Sequence, residues 1–149
     1  METQMHDPLA LENQVCFSLY TAANAMVRAY RPLLDKLDLT YPQYLAMMVL
    51  WQEEGISVKT LGGKLHLDSG TLTPLLKRLE AKGLLLRERS SEDERQRVLK
   101  LTDAGRHLRQ QAEGIPQAMR CLVGGAAEEL QQLKLLCDRA SKLLDGSDS

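Results

Sequence analysis

The sequence lacks long apolar runs and has few aromatic residues. It contains no stretch of about 18 apolar residues, so we expect no membrane-spanning helix and no membrane partner. Its first residues, METQMHDPLALENQ, lack the basic and apolar segments of a secretory signal, which predicts a cytoplasmic protein. Only one Trp, one Phe and four Tyr occur in 149 residues, whereas helix-forming residues such as Leu, Ala and Glu are abundant. Length and composition therefore predict one mainly helical domain.

Cysteine and histidine are also scarce. Three cysteines in a cytoplasmic chain do not predict a structural disulfide framework, so they are either inert thiols or redox-active ones. The three histidines, His6, His66 and His107, are far apart and lack metal-ligand spacing with the cysteines. This disfavours a metal-responsive regulator. Because no glycine-rich phosphate loop or nucleotide motif occurs either, we expect no metal and no cofactor.

The net charge of −1 argues by itself against a nucleic-acid partner. The distribution of charge argues the other way, because residues 77–109 hold 10 of the 19 Lys and Arg residues against six Asp and Glu, a local excess of four positive charges. Such clustering is typical of a face that binds phosphate, although a solvated charged face would give the same pattern. Charge alone leaves both interpretations open.

Hydrophobic periodicity predicts four helices in the first half of the chain. Apolar residues every three or four positions predict a first helix from about Leu9 to about Lys36. Thr40 is the expected N-cap of the second helix, and Ser57 is the expected N-cap of a short third helix. After the break at LDSG, the segment TLTPLLKRLEAKG predicts a fourth helix that stops at Gly83.

The second half begins with a change of pattern. Two short apolar-polar runs flank the charged segment SSEDERQR, which predicts a two-stranded hairpin with a charged tip. A helix from Thr102 to about Leu122 follows, and a last helix follows the GlyGly break at 124–125.

Helix-turn-helix followed by a hairpin is the arrangement of a winged helix-turn-helix. We therefore expect a mainly α fold with a small β-wing, as a single domain over residues 1–149. Residues 41–102 would form the DNA-binding part. Helices at about 9–38 and 103–145 would bury their apolar faces in a homodimer.

The segment LDSGTLTPLLKRLEAKGLLLRERSSEDERQRVLKLTDAG resembles the recognition helix and wing of the MarR family of dimeric repressors. It is most similar to the organic-hydroperoxide-sensing subgroup, often called OhrR. The most specific marks are Asp93-Glu94-Arg95 at the wing tip and the motif Leu101-Thr102-x-x-Gly105. The resemblance extends from about residue 12 to residue 144. It implies a double-stranded DNA partner with a palindromic operator.

Hydroxyl and basic side chains of this segment are the expected DNA contacts. Hydroxyls at the front of the recognition helix can reach bases or phosphates, and an arginine at a wing tip suits a narrow minor groove. We expect Asp93 to orient Arg95 by a charge-assisted pair. Ser69 could instead be the N-cap of its helix, and each of these residues could be a solvated surface residue and not a DNA contact. The candidate DNA-binding residues are Ser69, Thr71, Thr73, Lys77, Arg78, Arg87, Asp93, Arg95 and Arg97, with Arg89 beside Arg87 on the wing.

The resemblance also implies a redox site. In the subgroup a cysteine near the start of the first helix is the sensor and two tyrosines hold it; Cys16 falls at that position and Tyr30 and Tyr41 match the tyrosines. Cys121 matches the resolving cysteine of the two-cysteine members. Cys137 matches no family residue, and we expect it in the core with other apolar residues of its helix.

Helix geometry limits how this site is built. Cys16 and Tyr30 are 14 residues apart, which is roughly 21 Å along one helix, so a phenol cannot reach the thiol of its own chain. Contact would require two antiparallel first helices from two chains. A thiolate is the nucleophile toward a peroxide, phenol hydroxyls can stabilise it, and the first product is a sulfenic acid. Phe17, Leu19 and Trp51 are the expected apolar neighbours that would favour organic hydroperoxides.

The resemblance implies that organic hydroperoxides oxidise Cys16 and that a disulfide to Cys121 of the partner chain changes the spacing of the recognition helices. A palindromic operator would then be released. Two alternatives stay open. A repressor of the same fold could respond to a phenolic or aromatic ligand, and a thiol peroxidase could use Cys16 catalytically. The second lacks a Pro/Thr/Arg constellation near Cys16, so we expect no enzyme.

Overall fold

The structure is a computed structural model in which residues 7–146 are described; His6 lies outside them. This part of the chain is mainly helical and has one two-stranded antiparallel sheet, which confirms the expected fold with a small β-wing. A short 3₁₀ turn at Leu11–Asn13 comes first. The elements that follow are α1 (Val15–Asp35), α2 (Tyr41–Gln52), α3 (Val58–Leu65), α4 (Ser69–Ala81), β1 (Leu85–Arg89), β2 (Arg97–Leu101), α5 (Asp103–Ala112), α6 (Ile115–Val123) and α7 (Ala127–Leu144).

The chain divides into two compact units, the first ending at Ile115 and the second beginning at Pro116. The first unit contains α1 to α5 and the hairpin. The second contains nearly all of α6 and the whole of α7. None of the helices described is long and apolar enough to cross a bilayer.

Local capping interactions fix several helix starts where the sequence predicts them. Thr40 and Gln43 form a capping box at α2, with the Gln43 N–H donating to Thr40 Oγ1 over 3.3 Å and the Thr40 N–H donating to Gln43 Oε1 over 3.1 Å. Ser57 caps α3 by accepting from the Thr60 N–H over 3.0 Å. Gly83 follows α4 with φ +75°, as expected for a left-handed stop.

Three helix boundaries differ from the predictions. The N-cap of α4 is Asp68, whose Oδ1 accepts from the Thr71 N–H over 2.8 Å, so Ser69 is the first helical residue instead. The first α-helix starts at Val15 because residues 11–13 form a separate 3₁₀ turn. The helix predicted from Thr102 to about Leu122 is two helices, since the chain breaks between Ala112 and Ile115 at a Glu-Gly pair.

Leucine is the main residue in the core of the first unit. Each fully buried Leu contributes about 1.5–3 kcal/mol relative to an exposed one, so this set holds the helices and the wing base together. The largest fully buried side chains are Leu34, Met47, Leu50, Leu61, Leu72, Leu76, Leu79, Leu85 and Leu99.

The wing is anchored at its base. In the β1–β2 register Leu85 pairs with Leu101 and Arg89 pairs with Arg97. Leu85, Leu99 and Leu101 are buried, and the loop after α2 adds hydrogen bonds on both sides of Leu99. The tip beyond Arg89 therefore projects from a fixed base.

Candidate thiol site and nucleic-acid interface

Cys16 lies in the first turn of α1 and is exposed. Tyr30 lies on the same unbroken helix, so about 21 Å of helix separates the two residues. This confirms that the thiol and the phenol of one chain do not touch. Several neighbours of Cys16 are also exposed apolar residues, among them Val15 at 73% and Phe17 at 39%.

Three tyrosines, Tyr30 of α1 with Tyr41 and Tyr44 of α2, form a cluster at the other end of α1. The ring centroids of Tyr30 and Tyr41 are 4.7 Å apart, those of Tyr30 and Tyr44 are 5.8 Å apart, and those of Tyr41 and Tyr44 are 6.5 Å apart. The structure thus brings together the two tyrosines that the sequence singled out. It adds Tyr44, which is buried and which the sequence reasoning missed. The available signal was its position three residues after Tyr41 on the same helical face.

Burial extends the pH range over which these phenols stay protonated. Desolvation by burial, with smaller contributions from the neighbouring Tyr41 and Tyr44, raises the pKa of Tyr30 to about 12. Burial also raises the pKa of Tyr41 and of Tyr44 above the usual value for tyrosine. All three hydroxyls are therefore neutral near pH 7 and retain a proton to donate.

A cavity of about 180 Å³ lies beside Tyr41, between the end of α1 and the start of α2. Its volume is similar to the roughly 150 Å³ that accommodates benzene in an apolar cavity, but its lining includes the charged side chains of Arg31 and Asp35. Its lining residues are Val27, Arg31, Leu34, Asp35, Leu39, Thr40, Tyr41 and Pro42.

The other two cysteines lie in the second unit. Cys121 is on α6 and is exposed, and Cys137 is on α7 and is half-buried; all three cysteines are free. The expectation of a core position for Cys137 is wrong for the single chain, because none of the α7 residues is buried. Leu133 and Leu144, on the stripe assigned to that core, are 53% and 82% exposed. No group of three or more His, Cys, Asp or Glu between residues 7 and 146 is placed to hold a metal ion.

Trp51, expected as an apolar neighbour of the thiol, uses its indole N–H to hold α5. Its indole N–H donates to the carbonyl oxygen of Gly105 over 2.8 Å. The neighbouring Thr102 caps α5 and donates its hydroxyl to the carbonyl of Gly83 over 2.6 Å. The motif Leu101-Thr102-x-x-Gly105 therefore joins the end of the hairpin to the core.

One face of α4 is polar and exposed, and the other face consists of buried leucines. Leu72, Leu75, Leu76 and Leu79 are buried. Of the predicted DNA contacts on this helix, Thr73 is half-buried and the exposed ones are Ser69, Thr71, Lys77 and Arg78. The exposed hydroxyls lie in the first turn and the exposed charges about two turns later, an arrangement typical of a recognition helix.

The wing carries exposed arginines on a defined turn. Arg89, Arg95 and Arg97 are exposed. Asp93 differs from expectation, because its Oδ1 accepts from the backbone N–H of Arg95 over 3.0 Å and does not pair with the guanidinium. The Gln96 N–H also donates to the Asp93 carbonyl over 3.0 Å. Asp93 therefore shapes the turn that presents Arg95.

Arg87 forms an ion pair inside the protein. Its Nε lies 2.5 Å from Glu80 Oε1, and both side chains are about two-thirds buried. This ion pair joins β1 to α4 and so fixes the wing against the recognition helix. Arg87 thereby differs from the freely exposed DNA contact that the sequence predicted.

Both the family model and the relatives that match this chain are described as transcriptional regulators. The profile of the family described as "Transcriptional regulator SarA/Rot" matches residues 28–112. The "Organic hydroperoxide resistance transcriptional regulator" of Bacillus subtilis (strain 168) is 51% identical over 128 residues, which are 86% of this chain and 87% of that protein.

Solved structures of AbfR, from Staphylococcus epidermidis, are similar as well. Reduced AbfR bound to DNA matches with a TM-score of 0.77 and 35% identity, over 91% of this chain and 93% of that one. The disulfide form of AbfR matches with a TM-score of 0.61 and 35% identity, over 91% and 90% of the two chains.

Proposed function

The chain belongs to the family of winged helix-turn-helix transcriptional regulators that contains SarA, Rot and the OhrR-type organic hydroperoxide regulators, and we propose that it is a dimeric repressor whose Cys16 senses organic hydroperoxides. The proposal places it in the cytoplasm with double-stranded DNA as partner. It acts stoichiometrically and not as an enzyme, in line with relatives that are named as transcriptional regulators. Residues 1–149 would serve as one functional domain.

The observation that carries the proposal is the distance between the thiol and the tyrosine cluster along α1. Cys16 is at one end of the helix and Tyr30 and Tyr41 are near the other. If two copies of α1 pair in antiparallel fashion, each thiol meets the partner's phenols. The exposed apolar residues near Cys16 and along α7 provide the surfaces that such a dimer would bury.

The chemistry follows from the groups at this site. The Cys16 thiolate attacks the distal peroxide oxygen of ROOH, the O–O bond breaks, and Cys16 becomes a sulfenic acid while RO⁻ leaves and is protonated to the alcohol. The neutral phenols of the partner's Tyr30 and the partner's Tyr41 donate hydrogen bonds to the thiolate. The thiol of the partner's Cys121 then condenses with the sulfenic acid to give a disulfide and one water molecule.

Release of DNA follows from symmetry. The exposed hydroxyls and charges of α4 and Arg95 of the wing would contact two half-sites of a palindromic operator. A Cys16–Cys121 disulfide between chains changes the distance between the two recognition helices. Because the operator fixes that distance, even a small rigid shift abolishes simultaneous binding at both half-sites.

A second candidate function has one observation in its favour. The cavity beside Tyr41 is large enough for a small aromatic ring, and Arg31 in its lining would pair with a carboxylate. A repressor that releases DNA when a phenolic or aromatic acid binds there would keep its response without Cys16.

The test is a gel shift on a palindromic operator fragment with and without stoichiometric cumene hydroperoxide. Wild type should release DNA on oxidation and rebind after dithiothreitol. Cys16→Ser should stay bound throughout, and Cys121→Ser should lose the disulfide step. Cys137→Ser is the matched control and should behave as wild type. If Cys16→Ser also releases DNA with peroxide, the thiol-sensing proposal is wrong.

A further inference from the structure

Lys82 joins the end of the recognition helix to the turn between α1 and α2. It is the residue directly after α4, and its side chain is 28% exposed. Its Nζ donates to Gln43 Oε1 over 2.9 Å and to the backbone carbonyl of Asp38, and it lies 3.8 Å from Asp38 Oδ2. One ammonium group therefore contacts three oxygens of a single turn.

The acceptor on Gln43 also caps α2. Gln43 is 3% exposed, and its Oε1 accepts from the Thr40 N–H as well as from Lys82. Asp38 has φ +54°, a left-handed conformation that ends α1 and turns the chain toward α2. The contact of Lys82 is thus with the backbone and the cap of the turn that joins α1 to α2.

The same turn carries the tyrosine of the proposed sensor. Tyr41 directly follows Thr40 as the first residue of α2, and its ring lies 4.7 Å from that of Tyr30 on α1. The tyrosine cluster and the Lys82 contact therefore share the residues from Asp38 to Tyr44. A change in the packing of the tyrosines would displace the acceptors of Lys82.

Adhesion of α4 to the core does not require Lys82. Four leucines on the inner face of α4 are already buried. The ammonium adds contacts that depend on direction and distance, because a charge-assisted hydrogen bond weakens steeply when its geometry changes. Lys82 lies at the end of α4 that is farthest from the DNA-facing first turn. A shift at this end would therefore change the orientation of the whole helix.

We propose that Lys82 is a positioning residue that couples the tyrosine site to the recognition helix, so that oxidation at Cys16 changes the orientation of α4 through the turn formed by Asp38, Thr40 and Gln43. This inference rests on the proposed function and adds the route by which the sensor acts. A coupling of this kind has to be shown by an equilibrium that both sites bias, not by proximity alone.

The test compares operator affinity in the reduced and the cumene-hydroperoxide-oxidised protein for wild type, Lys82→Met and Lys82→Arg. Met keeps the aliphatic stem and removes the ammonium. The ratio of oxidised to reduced Kd should fall about fivefold or more in Lys82→Met, within the usual range of allosteric coupling. Arg keeps donors at this position and should restore most of the ratio. Thiol titration should show Cys16 oxidised to the same extent in all three.

Lys64→Met is the matched control, because it removes one lysine whose ammonium lies 3.1 Å from Glu53 on the same unit, away from the Asp38 turn. Its Kd ratio should equal that of wild type. Gln43→Met removes the shared acceptor, and its effect on the ratio should not add to that of Lys82→Met.

Two results would overturn the proposal, and they distinguish a failure of the coupling from a failure of the sensing function. If Lys82→Met weakens reduced and oxidised binding by the same factor, Lys82 serves only stability or phosphate contact, while the sensing function stands. If wild type is oxidised but its Kd does not change, the sensing function itself is wrong and there is no signal to couple. A measurement of Tm identifies any general loss of folding in the Met variants.

Discussion

The indole of Trp51 donates a hydrogen bond to the backbone carbonyl of Gly105 over 2.8 Å, across 54 residues of sequence. Gly105 lies so close to the chain that a Cβ there would be 2.1 Å from the carbonyl oxygen of Leu84. The glycine of the Leu101-Thr102-x-x-Gly105 motif is therefore required by packing. Because α5 begins here, this contact determines how the hairpin meets the helix that leads to the second unit.

We expect Gly105→Ala to destabilise the protein by about 1–3 kcal/mol, because the backbone near Leu84 must shift to admit a methyl group. Gly63→Ala is the control. A Cβ at Gly63 meets nothing within 4 Å inside α3, so alanine should stabilise by up to about 1 kcal/mol through helix propensity. Urea denaturation followed by circular dichroism measures both. Equal effects of the two substitutions would contradict the packing argument.

We expect Tyr30→Phe to slow oxidation of Cys16 by about tenfold or more, since a hydrogen bond to a charged group contributes about 1.5–3 kcal/mol. Tyr44→Phe should have a much smaller effect, because Tyr44 is buried and supports the cluster through its ring, which Phe retains. The measurement is the rate of thiol loss with cumene hydroperoxide under pseudo-first-order conditions. An unchanged rate in Tyr30→Phe would remove this phenol from the site.

Stability should decline at acid pH through Glu54. Its carboxylate accepts from Arg106 and from the Leu101 N–H, and the hydrogen bond from the Arg106 side chain is the main reason that the pKa of Glu54 is lowered. A lowered folded-state pKa means that this stabilisation is present above the unfolded value, about 4.3, and is lost as pH falls through the folded value. Glu54→Gln should therefore show a weaker dependence of the free energy of unfolding on pH below about 4.5. Parallel curves for the two proteins between neutral and acid pH would show that Glu54 contributes nothing.

We expect Arg95→Ala to weaken operator binding and to reduce the salt slope of log Kd by about 2, because one DNA-directed charge is lost from each of the two wings of the dimer. Arg95→Lys is the control for charge, since it keeps the cation and removes the planar guanidinium. It should preserve the slope while losing part of the affinity. Fluorescence anisotropy over a salt series distinguishes the two effects, and a full slope in Arg95→Ala would exclude a contact at the wing tip.

The proposed DNA-binding and redox residues were predictable to different degrees. The family motif located Ser69, Thr71 and Arg95, and the structure leaves all three exposed. The motif did not reveal that Arg87 is paired with Glu80, because the hairpin register and the orientation of α4 jointly bring these two side chains together. Nor did it reveal Tyr44, which joins the cluster only when α1 packs on α2.

The sequence by itself determined the features that depend on near neighbours. Thr40 and Ser57 cap their helices through residues three positions away, and alternating apolar residues define the wing strands. Such interactions are local, so a linear pattern specifies them. At the start of α4 the pattern offered Ser69 as a cap, whereas the carboxylate of the preceding Asp68 is the cap in the folded chain.

Only the tertiary structure decided the contacts between distant residues. The tyrosine cluster, the Lys82 contact with Gln43 and the close approach of Gly105 to Leu84 each join segments that are far apart in the chain. Their geometry follows from how the leucine faces of several helices pack together, and no single segment contains that information. The sequence therefore predicted the chemistry proposed for this protein, and the packing of its helices determined which of the predicted side chains are exposed.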